Sequence, residues 1–174
     1  MPFLDVRVRS LAVAEPNAMI LAGRCYERET VPFKAFDGVA DGLAQLLAGM
    51  PAADVRALLP ERPDLLVRLF PVFQRVEAIA TSPAGGRELG EPHEQRRRMF
   101  IALRALLAAL AKTGRVVITI DDLQWADADS FLLLRELFRG ADAPPMLVIA
   151  TVRGEPTALA TELDGLPVER TCLG

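Results

Sequence analysis

VVITIDDLQWAD, residues 116–127, is the stretch on which the fold turns. Together with Arg115 it opens on RVVITI, a β-branched run that is apolar on both of its faces. Strands buried on both faces read this way, and they belong to the middle of parallel sheets. The run ends in two consecutive acids, Asp121 and Asp122. In open α/β sheets ligands bind beyond the carboxyl ends of the strands, so two negative charges stand where a ligand would be met. Successive side chains of a strand point to opposite faces, which gives the two acids different tasks. Asp121 is placed to hold Mg²⁺ through a water, since Mg²⁺ takes oxygen ligands, retains water, and needs one or two carboxylates plus phosphates. Asp122 is placed to orient an attacking water or take its proton. The plainer alternative is that the pair only caps the helix that follows, where acids are favoured.

Outward from this point the chain alternates between helical and strand patterns. A helix follows with Asp127 or Asp129 as N-cap, and Gly140 ends it. MLVIAT, residues 146–151, reads as a second buried strand that exits into Thr151 and Arg153. A hydroxyl and a guanidinium there suit a γ-phosphate, or else form an ordinary polar strand end. On the amino-terminal side, Phe100, Leu103, Leu106, Leu107 and Leu110 make the apolar stripe of a helix over 93–112, stopped by Gly114. TSPAGGRELGEP, residues 81–92, has the composition of a surface loop. Pro51, Pro60 and Pro63 punctuate short helices near 52–59 and 64–75. Phe36, Val39, Ala40, Leu43, Leu46 and Leu47 predict a helix over 35–48, and AMILAG, residues 18–23, a buried strand. Residues 3–15 fit either a strand or the tail of a helix, 155–163 a short helix, and 168–172 a weak last strand. The order predicts an α/β layered fold with a parallel sheet, counted as one domain over 1–174.

Composition narrows the partners. The 174 residues are 51% hydrophobic with a mean hydropathy of +0.24, enough for a packed core. Twenty basic residues against 23 acidic ones leave a net charge of -3, which gives no basis for broad nucleic-acid binding. Cys25 and Cys172 are too few and too far apart for a disulfide framework or a zinc site, and read as small buried hydrophobes. No apolar run approaches a bilayer's thickness and MPFLDVRVRS lacks a signal-peptide apolar region, so a cytoplasmic protein without membrane contact is expected. His93 reads as an exposed helix-start residue, Trp125 as packing on the next helix, and Arg96, Arg97 and Arg98 as a solvated face. Glu27, after the first strand, is a minor candidate for contact with the catalytic acid.

VVITIDDLQWADADS resembles the Walker B segment of bacterial AAA-like, STAND-type (origin-recognition-like) P-loop ATPase domains. LAGRCYERETVPFKAFDGVADGL, residues 21–43, is similar to the segment after the phosphate-loop helix in that family, and MLVIATVRGE to its sensor strand. The resemblance implies a three-layer P-loop NTPase fold with strand order 5-1-4-3-2 and ATP with Mg²⁺ as ligands. It implies Asp121 on the metal, Asp122 on water, and Thr151 and Arg153 at the γ-phosphate. It also implies partner modules of signalling proteins, of Ser/Thr kinase, nucleotide cyclase or helix-turn-helix type. The family's G-x-x-x-x-G-K-[ST] loop does not occur here, and neither Lys34 nor Lys112 follows a glycine. The expectation is therefore an incomplete domain, lacking its first strand and phosphate loop, with weak or no ATP turnover alone. The other reading is a non-catalytic interaction module.

Overall fold

The computed structural model describes residues 18–28, 31–83, 91–154, 159, 161–169 and 171. Three strands form one parallel sheet in the order β1-β2-β3: β1 is Met19–Arg24, β2 Val116–Asp121 and β3 Met146–Ala150. The register runs Met19 to Val116 to Met146 at the amino end and Ile120 to Ala150 at the carboxyl end. This run of neighbours corresponds to the 2-3-4 portion of the P-loop order anticipated above, and the fold class is α/β with a helix-flanked parallel sheet.

The helices lie between the strands in sequence. Among the described residues six are α-helical: α1 (Lys34–Ala48), α2 (Ala52–Leu58), α3 (Asp64–Leu69), α4 (Glu77–Ala80), α5 (Pro92–Ala111) and α6 (Ala128–Leu137). Parallel crossovers are almost always right-handed. Both connections here step the same way across the sheet, so their helices fall on the same face. The buried core agrees. It takes in Leu21, Val116, Ile118 and Ile120 with Phe36, Leu43, Leu106, Leu110, Leu133 and Leu137. Ile20, Val117, Leu147 and Ile149, which alternate with these, lie outside that core. No described helix is long and apolar enough to cross a membrane.

Close approach of α1 to β1 depends on two glycines. A Cβ on Gly38 would sit 2.8 Å from the carbonyl oxygen of Ala22, and one on Gly23 would overlap the carbonyl oxygen of Ala35. Only hydrogen at both positions lets the helix lie this close to the strand. Beyond α1, the short helices form a cap whose aromatic seam joins Phe33 edge-on to Phe70 and Phe100, with centroids 5.9 and 5.6 Å apart.

Some expectations need correction. The helix anticipated over 64–75 is two pieces, α3 and a 3₁₀ turn at Pro71–Arg75. Phe70 between them is extended (φ -135°, ψ 106°), because a residue before proline is driven out of the helical region. Helix α4 was not anticipated, being too short for its apolar spacing to show a period. The last strand expected at 168–172 is absent at its described positions 168, 169 and 171. Val168 N–H bonds back to the Leu166 carbonyl instead of joining the sheet. The readings at 3–15 and 84–90, most of the 155–163 helix, and Cys172 lie outside the described residues.

Candidate functional site

The four residues singled out in the sequence meet at one rim. Asp121 ends β2 and pairs in register with Arg24 at the end of β1. Asp122 follows at once in the left-handed region (φ 58°, ψ 44°), a conformation that aspartate tolerates better than most residues. This abrupt bend turns the chain off the strand into a 3₁₀ turn, Leu123–Trp125, and tucks the Asp122 side chain inward to 8% exposure. Thr151, just past β3, fastens the bend from the other side. Its carbonyl accepts from Leu123 N–H at 2.9 Å, and its hydroxyl oxygen accepts from Asp122 N–H at 3.1 Å. The same hydroxyl donates to Asp121 Oδ1.

Two guanidiniums close on Asp122. Arg153 Nε lies 2.7 Å from Oδ1 and its Nη2 3.3 Å from Oδ2, although the arginine side chain is itself 65% exposed. Arg24 Nη2 reaches Oδ2 at 3.5 Å, and its Nε lies 3.9 Å from Asp121 Oδ2. Arg24 also stacks over the Tyr26 ring at 5.2 Å. Gln124 completes the group, donating to Asp122 Oδ1 at 3.3 Å and accepting from Arg153 N–H at 3.1 Å. The arrangement is a pair of carboxylates balanced by a pair of cations at the end of a parallel sheet. Such a group offers oxygen ligands to a hard cation and fork-shaped donors to a phosphate.

Mg²⁺ fits the acidic end. Asp121 is partly exposed, at 24% for its side chain, and stands beside a hydroxyl. A single carboxylate with waters and phosphate is a normal Mg²⁺ environment. Among the described residues no cluster of three or more His, Cys, Asp or Glu forms a closed cage of protein ligands.

Sequence reasoning missed Arg24 and Gln124 as members of this group. Glu27, weighed in that region, is exposed in a turn, and the contact with the acids comes from Arg24. Trp125, expected to pack on the next helix, closes the 3₁₀ turn and is 40% exposed. His93, Arg96, Arg97 and Arg98 are exposed, with Arg96 paired to Asp129 and Arg98 to Glu94. Cys25 is buried, as expected.

Asp127 does more than cap α6. Its carboxylate accepts from Ser130 N–H at 3.2 Å and from the Ser130 hydroxyl, so of the two cap candidates, Asp127 and Asp129, the cap is Asp127. It also accepts from Phe33 N–H at 3.0 Å and Lys34 N–H at 3.1 Å, at the start of α1. Burial works to raise its pKa, but the Ser130 and Phe33 hydrogen bonds outweigh it and hold the pKa below the ordinary 3.8. A carboxylate with a depressed folded pKa contributes stability above its unfolded pKa, and that contribution is lost as pH falls through the folded value. Asp127→Ala should therefore cost about 1–2 kcal/mol at neutral pH. The difference from the parent chain should shrink toward pH 3. Urea unfolding of both chains at pH 7 and pH 3 checks this, and a gap that is unchanged at low pH refutes it.

A family model described as an AAA ATPase domain matches residues 7–149. No curated protein and no solved structure matches the chain.

Proposed function

The chain belongs to the AAA ATPase domain family, and from that premise we propose that it is the acidic half of an ATP and Mg²⁺ site in a signalling switch domain. The observation that carries the reading is the convergence of Asp121, Asp122, Thr151 and Arg153 at one carboxyl rim, with Arg153 Nε 2.7 Å from Asp122. On this reading Asp121 holds Mg²⁺, whose chemistry is to neutralise charge on the phosphates. Asp122 orients the attacking water, and Thr151 and Arg153 contact the γ-phosphate. Asp122 is paired with guanidiniums in this structure, so it becomes available to water only when a polyanion draws them off.

The sequence contains no G-x-x-x-x-G-K-[ST] loop to cradle phosphates with backbone N–H groups. We therefore expect residues 1–174, a partial AAA-type domain, to bind Mg²⁺-ATP weakly and turn it over little by themselves. Partner modules of kinase, cyclase or helix-turn-helix type, in a cytoplasmic signalling protein, remain part of this proposal. Calorimetry with Mg²⁺-ATP should show weak binding that is reduced in both Asp121→Ala and Arg153→Ala. Strong saturable hydrolysis by the purified chain, or binding indifferent to both substitutions, would overturn it.

A non-catalytic interaction module is the second reading, favoured by the outer side of β3. Among the described residues no strand pairs with that side, and Leu147 is 50% exposed in a strand with no charge or proline to discourage pairing. This reading expects self-association or uptake of a partner strand. Size-exclusion chromatography showing a stable monomer at high concentration counts against it.

A further inference from the structure

Helix α1 has no side-chain cap of its own. The residue before it, Phe33, is left-handed at φ 60°, and its side chain accepts nothing. The first N–H groups of a helix must nevertheless find acceptors. They find them 93 to 95 residues away: Phe33 N–H and Lys34 N–H bond to Asp127, and Ala35 N–H bonds to the buried Ser130 hydroxyl at 3.2 Å. One carboxylate thus serves the start of two helices, one from each strand connection.

The tie runs on to the acidic rim. The Lys34 side chain is buried to 7% exposure and donates from Nζ to the Tyr26 carbonyl at 3.3 Å. The Tyr26 ring lies under the Arg24 guanidinium, and Arg24 in turn reaches Asp121 and Asp122. Both ends of the connection from β1 to α1 are therefore held to the segment that leaves β2. Arg24 and Asp122 hold one end, and Asp127 and Ser130 hold the other.

We infer that Asp127, with Ser130, is a positioning residue for this rim, setting the place of Arg24 and through it the pairing of Asp122. The importance of the rim rests on the nucleotide reading above, but the coupling itself stands on the geometry alone. Nothing in it requires Asp127 to touch a ligand. Disturbance of the cap should travel along the β1 to α1 connection and appear at Arg24.

The test uses the whole ¹⁵N-labelled chain and the Arg24 Nε–H resonance, assigned by its disappearance in Arg24→Lys. In Asp127→Ala, at a temperature where circular dichroism shows the fold intact, the resonance should move toward that of a solvated arginine. Its solvent exchange should rise roughly tenfold as Nε, buried in the parent chain, opens to water. Ser130→Ala should move it the same way by less. Asp64→Ala, which removes the Arg62 ion pair in the helical cap, lowers thermal stability without touching Arg24. An Arg24 signal unmoved in Asp127→Ala, or moved equally by Asp64→Ala, overturns the inference. Should Asp127→Ala not fold, Asp127→Asn and Ser130→Ala carry the same comparison. Calorimetry of the parent chain with Mg²⁺-ATP judges the nucleotide reading separately, because the resonance is followed without nucleotide.

Discussion

Gly23→Val is expected to remove about 3 kcal/mol or more of folding stability, lowering Tm by roughly 10 °C in a domain of this size. The added side chain meets the Ala35 carbonyl, which is backbone and cannot rotate aside, and lies against Val39 as well. Helix α1 has to lift from β1, and its own Gly38 is seated on Ala22 in the same contact. Lifting it also pulls against the Asp127 cap, so the loss is not confined to one pair of atoms. Gly140→Ala is the control. It sits at φ +74° with nothing within 4 Å of the new carbon, so its cost is conformational strain of about 1 kcal/mol. Thermal unfolding of the three chains gives the ranking, and equal losses at positions 23 and 140 would show that the helix is not held by close approach.

The second large effect is expected at Asp122. Asp122→Ala should cost about 2–3 kcal/mol, because it removes the buried carboxylate that holds the Arg24 and Arg153 guanidiniums and puts alanine on left-handed backbone. The cost stays below that of a fully buried pair because Arg153 is mostly exposed. Asp122→Asn should cost less, since asparagine accepts the left-handed backbone at φ 58° and keeps an acceptor for Arg153. Both substitutions release cations, so inorganic tripolyphosphate should bind about fivefold more tightly to either than to the parent chain. Unfolding titrations together with tripolyphosphate calorimetry check the pair of effects. Anion affinity that falls on removing Asp122 would mean that the arginines are not the anion-binding groups.

The strands and the long helices were legible because each carries its pattern locally. Residues 116–120 are β-branched throughout and buried on both faces, and α1 and α5 show their buried stripes at helical spacing. Helix α1 begins at Lys34, one residue from the expected start, and α5 at Pro92. The four candidate residues could be brought together in advance because parallel strands deliver their ends to one rim. Arg24 could not. Its identity as a partner of Asp122 depends on β1 and β2 being neighbours in register, a fact held by residues almost a hundred positions apart. Asp127 was legible as a cap for α6 and illegible as a cap for α1. A helix start with phenylalanine in the cap position gives no sign of where its acceptors lie. The closeness of α1 to β1 was hidden for the same reason, since Gly23 and Gly38 look unremarkable until they face each other.

The strand succession has a consequence for where a nucleotide can lodge. The chain steps from β1 to β2 to β3 without once reversing its winding, so every described crossover runs over the same side. A doubly wound sheet opens a crevice only where successive connections part to opposite sides. No such parting lies between these three strands. On the nucleotide reading proposed above, a crevice would need a further strand to join the outer border of β3 with its connection over the side bearing Val117 and Leu147, which would put Thr151 and Arg153 at its lip.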